Sequence, residues 1–295
     1  MTLMHNMIKT IDPAISNNLD LYNLMSTAIA PRPICFASTV DKNGNVNLSP
    51  FSFFNMFSSN PPIMVFSPAR SGRDNSLKNT HENVLEVPEV VINVVNHDMV
   101  EQMSLSSTAY AKGVNEFVKA GFTEIPSEKV KPPRVAESPI SFECTVQEVI
   151  ELAQTPGAGN LVIAKVELIH VDEKYFTDGV LDTEKLDLVG RMGGNWYIRA
   201  IKESLFEVTK PIRTLGIGVD ALPKGIRNSD VLTGNDLGRL GNLEHLPSAS
   251  EIDVTGVLEG GEALSKRDIH LLAQRMLKDG NTKKAMALLL YGESL

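Results

Sequence analysis

Cysteine is scarce in this chain: 295 residues contain two, Cys35 and Cys144, each inside an apolar, strand-like run. Neither belongs to a CxxC pair or to the Cys/His spacing of a zinc site, so both read as reduced, buried thiols. Long hydrophobic runs are missing too. The longest, such as Ala285 to Tyr291, fall far short of the span of a bilayer. The opening residues MTLMHNMIKT carry one Lys and no continuous apolar block, unlike a signal peptide. No membrane and a cytoplasmic location are therefore expected. Excess positive charge is absent as well: the formal net charge is −8, which argues against general attraction to nucleic-acid backbones.

Several catalytic signatures are missing. There is no GxxxxGK[ST], and no GxGxxG follows a strand to open a helix, which disfavours P-loop and Rossmann chemistry. No GxSxG elbow appears. Histidines 5, 81, 97, 170, 245 and 270 form no HExxH or related pattern, and no metal is expected. No two carboxylates stand out as a glycosidase pair. No catalytic side chain is identified.

What is present is ordinary globular chemistry, 42% hydrophobic and 22% charged, arranged mostly as strands. Residues 19–29 place Leu21, Leu24, Met25 and Ala28 at helical spacing, ended by Pro31 and Pro33. ICFASTV (34–40), VNLSPFSFFNMF (46–57), PPIMVFSP (61–68) and EVVINVVN (89–96) read as extended. Asp41 to Asn45 form a turn after the first, and Pro50 marks an edge or a bulge in the second. NSLKNTHENV (75–84) reads as a short helix with Leu77 and Val84 inward. Residues 140–150 alternate with period two, and TPGAGN (155–160) turns them back into 161–171 as a long hairpin. This pattern is mainly β with helices, an antiparallel barrel. From about residue 201 the texture changes to Gly, Pro, Asn and Asp with short apolar groups. A capping box at Ser265 to Asp268 then opens one helix, Gly280 closes it, and Asn281-Thr282 starts another. Two domains are expected, 1–200 and a mostly helical extension, 201–295.

The segment most suited to ligand chemistry is SPARSGRDNSLK, Ser67 to Lys78. Arg70, Arg73 and Lys78 are interleaved with Ser67, Ser71, Asn75 and Ser76, between a strand end and a helix start. A phosphate monoester is held by such charged donors, short hydroxyls and free helix N–H groups, and Gly72 lets the backbone approach closely. The same residues also suit a solvated polar turn with an Asp/Asn helix cap. A cradle without an acid, base or nucleophile fits a protein whose cofactor carries the chemistry.

The ordered motifs PRPICFASTVDKNGNVNLSPFSFF and GRDNSLKNTHENV, followed by Val91 to Asn93 and by Val189 to Gly194, resemble the flavin reductase-like, FMN-binding split-barrel family. Its flavoredoxins are the nearer branch. The resemblance spans roughly residues 15–200 and implies a split β-barrel of Greek-key type that binds FMN. It places Ser38 and Thr39 beside the flavin. Asn47, Leu48, Ser49, Pro50, Phe51 and Ser52 would lie along the ring, largely through backbone groups. Ser67, Arg73, Asp74, Asn75 and Ser76 would hold the phosphate and ribityl chain, with Asp74 orienting a neighbour or capping the helix. Arg191 and Tyr197 are weaker candidates for the open face, and the Arg before two glycines also suits a turn anchor. Phe53 and Phe54 are read as core. A homodimer is implied, as is redox chemistry with a small-molecule or protein donor and acceptor. NAD(P)H stands as an optional co-substrate, because the G-D-H-type nicotinamide-side segment is missing. The alternatives are an electron carrier without a nicotinamide site and a barrel that holds no flavin.

Overall fold

The computed structural model describes residues 8–248 and 264–294; His5 and most of the opening segment lie outside them. The chain forms two compact units, Met1–Phe206 and Glu207–Leu295.

In the first unit, α1 (Asn18–Ala28) is capped by Asn17, whose side chain accepts from the N–H groups of Leu19 and Asp20. Seven strands follow: β1 (Cys35–Val40), β2 (Val46–Phe51), β3 (Phe54–Ser59), β4 (Pro62–Phe66), β5 (Glu89–Val94), β6 (Ile140–Glu151) and β7 (Asn160–Val171). They form one sheet in the order β2-β1-β5-β6-β7-β4-β3, antiparallel at every pairing. The β1–β2 turn is set by Asp41, whose Oδ1 accepts from Asn43 N–H at 2.8 Å and Asn45 N–H at 2.9 Å, with Gly44 at φ 84°. Between the strands, α2 (Asn79–Glu86), α3 (Val100–Leu105) and α4 (Glu116–Ala120) cover the sheet.

The sheet is curled rather than flat. Phe51 of β2 and Met64 and Phe66 of β4 belong to one buried cluster with Cys35, Ala37, Ile92, Cys144 and Val162. The Phe51 and Phe66 rings lie 5.6 Å apart although their strands stand near opposite edges. The ladder does not close between β2 and β3, and that gap is the split of the barrel. The expected continuous strand 46–57 is in fact two. Only Ser52 and Phe53 separate β2 from β3, yet these strands occupy the two edges. Pro50 carries no N–H, so β2 cannot extend a ladder outward there. Phe51 and Phe54 both turn into the same interior cluster. The expected core place of Phe53 is also corrected. Its ring is 43% exposed, edge-on to Tyr22 and under the Arg32 guanidinium.

A second cluster on the other face joins Ile34, Phe36 and Leu48 to Met99 and Met103 and to Phe117 of α4. The helix expected over 75–84 begins at Asn79, leaving Ser67–Lys78 as loop. Leu77 is half-buried and Val84 buried.

The second unit is mostly helical: α5 (Gly234–Gly241), α6 (Lys266–Lys278) and α7 (Thr282–Ser294). Capping boxes open two of them, Thr233 with Asp236 and Ser265 with Asp268. Its core is its own, built from Leu222, Ile226, Leu240, Ile269, Leu277 and Met286 among others. Among the described residues, no helix is long and apolar enough to cross a membrane.

Candidate functional site

The Ser67–Ser76 loop is stitched to the β6–β7 hairpin. Ser67 Oγ accepts from Asn160 N–H at 3.1 Å, and Asn160 Nδ2 donates to Pro68 O at 2.9 Å. Arg70 N–H donates to Ala158 O at 2.8 Å, and Asn75 Nδ2 donates to Gln154 O at 3.0 Å. The hairpin can approach this closely because residue 159 is glycine, where a Cβ would stand 2.9 Å from Ser67 Oγ.

Within the loop, Ser71 Oγ accepts from the N–H groups of Arg73 and Asp74. Asn75 adopts a left-handed conformation, φ 60°. Asp74 Oδ1 accepts from Ser76 N–H at 3.1 Å and Ser76 Oγ at 2.8 Å. The hydroxyls of Ser71 and Ser76 are the main reason its carboxyl stays well below the usual range. Asp74 thus orients the loop. It does not cap α2, whose N-cap position is Lys78, without a side-chain cap. A Cβ at Gly72 would meet open space.

Against the loop lies a polar cluster whose other members, Glu151 and His81, were not expected at the site. Arg70 meets Glu151 Oε2 at 3.3 Å, and Glu151 Oε1 lies 3.5 Å from Nε2 of the fully buried His81. Arg70 Nε, Asn75 Oδ1, both His81 ring nitrogens and Asn160 Oδ1 are buried without a hydrogen-bond partner. Burial lowers the His81 pKa, opposed by Glu151 and reinforced by Arg70.

The other predicted residues fall in two further places. Thr39 and Asn47 are buried and pin α2: Asn83 Nδ2 donates to Thr39 Oγ1 at 3.2 Å, and Asn47 Nδ2 donates to Thr80 Oγ1 at 2.9 Å. Ser38 is fully buried, and its hydroxyl has no partner. Leu48 packs in the core, and its N–H donates to Glu116 Oε2 at 2.9 Å. With that donor engaged and Pro50 lacking one, β2 presents few amides outward at these positions. Ser49 and Pro50 are half-buried, and Phe51 is core. Ser52 Oγ accepts from Arg32 Nε at 3.3 Å. Arg32 also donates to Ser26 O, to Ile29 O at 2.7 Å and to Met192 O at 3.2 Å. Arg191 exchanges both backbone hydrogen bonds with Arg32 and stacks on Tyr197 at 4.7 Å. Gly193 lies so close to Thr27 that a Cβ would stand 2.2 Å from its Oγ1.

Among the described residues, one group could approach a cation, His97 with Asp98 and Asp187. Both Asp187 oxygens there already accept from Arg199, at 2.7 and 2.6 Å.

An open-edged antiparallel barrel with a polar, cation-bearing loop at a strand end defines a split-barrel protein of the flavin reductase type. The family whose description is flavin reductase like domain matches residues 25–185, more than half the chain, and the chain belongs to that family. An uncharacterized protein of Aquifex aeolicus is 35% identical over 189 residues, covering 64% of this chain and 94% of that relative. The crystal structure of nitrilotriacetate monooxygenase component B from Bacillus cereus is similar at 29% identity and TM-score 0.63, over 70% of this chain and 99% of that one. A flavin-reductase-type protein with a split barrel domain from Shewanella frigidimarina shares the fold at TM-score 0.56 and 24% identity, over 66% of this chain and 96% of that one.

Proposed function

We propose that this chain binds FMN and passes electrons through it to a small-molecule or protein acceptor. One observation carries the reading: the Ser67–Ser76 loop holds Arg70 with a buried, unpartnered Nε beside a left-handed Asn75. Exposed Arg73 and Lys78 stand on the same loop, with no ion pair or hydrogen bond from either side chain among the described residues. Burying an unpaired donor costs about 1–3 kcal/mol, so a site that keeps one fits an anion able to accept from it. The α2 N-terminus, without a side-chain cap, adds unpaired N–H groups to the same end.

When bound, the flavin supplies hydride and single-electron chemistry. The protein's part is to bind, orient and keep water out. The loop would grip the phosphate, and Thr39, Asn47 and Asn83 fix α2 so that its N-terminus faces the loop. The likeness to component B of a monooxygenase supports a chain that serves a partner enzyme. A second reading, an electron carrier without a nicotinamide site, rests on the missing histidine-containing segment. A homodimer is part of the proposal, favoured by the exposed apolar residues Leu19 and Met25 on α1, Ile29 just past its end, and Met56 and Phe57 on β3. A cytoplasmic location is proposed with it.

The test is to add FMN to the full chain and follow flavin fluorescence and absorbance. Saturable binding is expected, and a chain that refuses FMN refutes the reading. Anaerobic mixing of the loaded protein with NADH or NADPH then separates reductase from carrier, since rapid bleaching marks the former.

A further inference from the structure

Arg70, Glu151 and His81 form a line in which one carboxylate lies between two groups that compete for it. Arg70 touches Glu151 Oε2 at 3.3 Å, and His81 Nε2 lies 3.5 Å from Oε1. Arg70 comes from the loop, Glu151 from the end of β6 and His81 from α2, so three separate elements converge. His81 is fully buried, and neither ring nitrogen makes a hydrogen bond. Glu151 has about a third of its side chain exposed, and Arg70 about an eighth. An incoming anion can therefore reach Arg70, whereas His81 meets solvent only by way of the part-exposed Glu151 carboxylate.

Resting on the FMN reading above, we propose that the loop binds the flavin phosphate by an exchange of ion-pair partners linked to proton uptake. The phosphate takes the place of Glu151 on Arg70. Glu151 then pairs with His81, which takes one proton from solvent and becomes imidazolium. No bond other than that N–H is made.

The physical reason is the balance around the ring. Burial keeps His81 neutral in the free protein, and the Arg70 charge adds to that effect, while Glu151 and Glu82 oppose it. Glu82 sits on α2 itself. The strands β1 and β2, which α2 packs against, meet it with the uncharged Thr39 and Asn47. A bound dianion cancels the Arg70 charge and frees Glu151, so both changes favour the imidazolium. The ligand would drive the opposite change. A phosphate monoester has its second pKa near 6, and a guanidinium partner favours its dianion, so the ligand alone would release protons or exchange none.

The experiment is isothermal titration calorimetry of FMN and of riboflavin into the full chain at pH 7.5, in buffers of differing ionisation enthalpy. FMN binding with net proton uptake, and riboflavin binding without it, is the expected result. His81→Asn should still bind FMN but lose the uptake. Glu151→Gln should also lose it, and should bind FMN at least as tightly, because Arg70 no longer has a competing carboxylate. Arg70→Met should weaken FMN about ten- to a hundredfold, the scale of a charge-assisted hydrogen bond, and leave riboflavin unchanged. Circular dichroism checks that each variant is folded. FMN binding with no uptake, or with uptake that persists in either His81→Asn or Glu151→Gln, overturns the exchange. Failure of the unmodified chain to bind either flavin overturns the FMN reading itself, so the two failures are told apart.

Discussion

Replacing Asn93 with leucine should destabilise the barrel unit by about 3–5 kcal/mol. Asn93 lies in β5 with no exposed surface, and its side chain joins three strands or segments. Nδ2 donates to Phe36 O at 3.0 Å, and Oδ1 accepts from Val135 N–H at 3.0 Å and Ser141 Oγ at 2.8 Å. Leucine has nearly the same size but leaves one carbonyl and two donors without partners. All three residues are buried, so water cannot readily replace the amide. Each orphaned group costs about 1–3 kcal/mol, and the sum is reduced because the three share one site and can relax together. Against a total stability of about 5–15 kcal/mol, the loss should be plain. The assay is urea unfolding followed by the reactivity of Cys35 and Cys144. Both thiols sit in the barrel core, so they report this unit and not the helical one. A midpoint shift equivalent to less than about 1 kcal/mol, with an unchanged denaturant slope, would refute the claim that Asn93 is the polar tie of this sheet.

The thiols themselves give a second test. Burial pushes Cys144 up to about 12 and raises Cys35 well above its ordinary value, so neither should react with a disulfide reagent at pH 8 until the unit unfolds. Fast labelling of the folded chain would contradict their place in the core. Glu116 gives a third. Burial raises its carboxyl above 4.5, outweighing the Leu48 N–H it accepts, so the folded state binds this proton more tightly than the unfolded chain. Its contribution to stability is therefore full below pH 4.5 and is lost as pH rises through the raised value. Glu116→Gln keeps an oxygen for the Leu48 amide and should flatten that decline. An unchanged slope of stability against pH would sink the assignment.

The strands were legible by their alternation, although the strand expected to be half-buried at 140–150 is covered on both faces at its start, where Ser141 and Glu143 are buried beside Ile140 and Cys144. Ile140, Phe142 and Cys144 alternate with polar neighbours, and the Gly-rich turn before Asn160 announces the return strand. The break between β2 and β3 was not, because no turn residue marks it. Ser52 and Phe53 look like more strand, and only the shared interior of Phe51 and Phe54 shows that the chain must cross to the other edge. The loop chemistry was legible as composition, since its cations and hydroxyls are contiguous. Its supports were not. Glu151 lies 81 residues from Arg70, and Asn160 lies 93 from Ser67, distances over which sequence spacing carries no geometric information. The apolar side of α1 was likewise visible as helical spacing. That Leu24 and Met25 remain about half-exposed in the single chain is a tertiary fact.

Polar side chains inside a small barrel divide by whether the fold uses up their hydrogen bonds. Thr39, Asn47, Asn83 and Asn93 each meet a partner of the same chain, and their work is to fix strand and helix. Such groups have little left to offer a ligand without breaking what they hold. Ser38 Oγ, Arg70 Nε and Asn75 Oδ1 are buried with bonding capacity unused. An unused donor or acceptor is a standing cost, so it is tolerated where something outside the fold can satisfy it. By that criterion Thr39 and Asn47 spend side-chain hydrogen bonds inside the fold, which leaves Asn47 the backbone role the resemblance implies, while Arg70, outside the set the resemblance implies, keeps a donor to offer. Arg73 is the motif's cation, yet it is exposed and unfixed. Arg70 is held by its backbone bond to Ala158 and by Glu151, so less of its conformational freedom remains to be lost on binding. The preorganised residue of the loop is therefore the one three positions before the motif's own arginine.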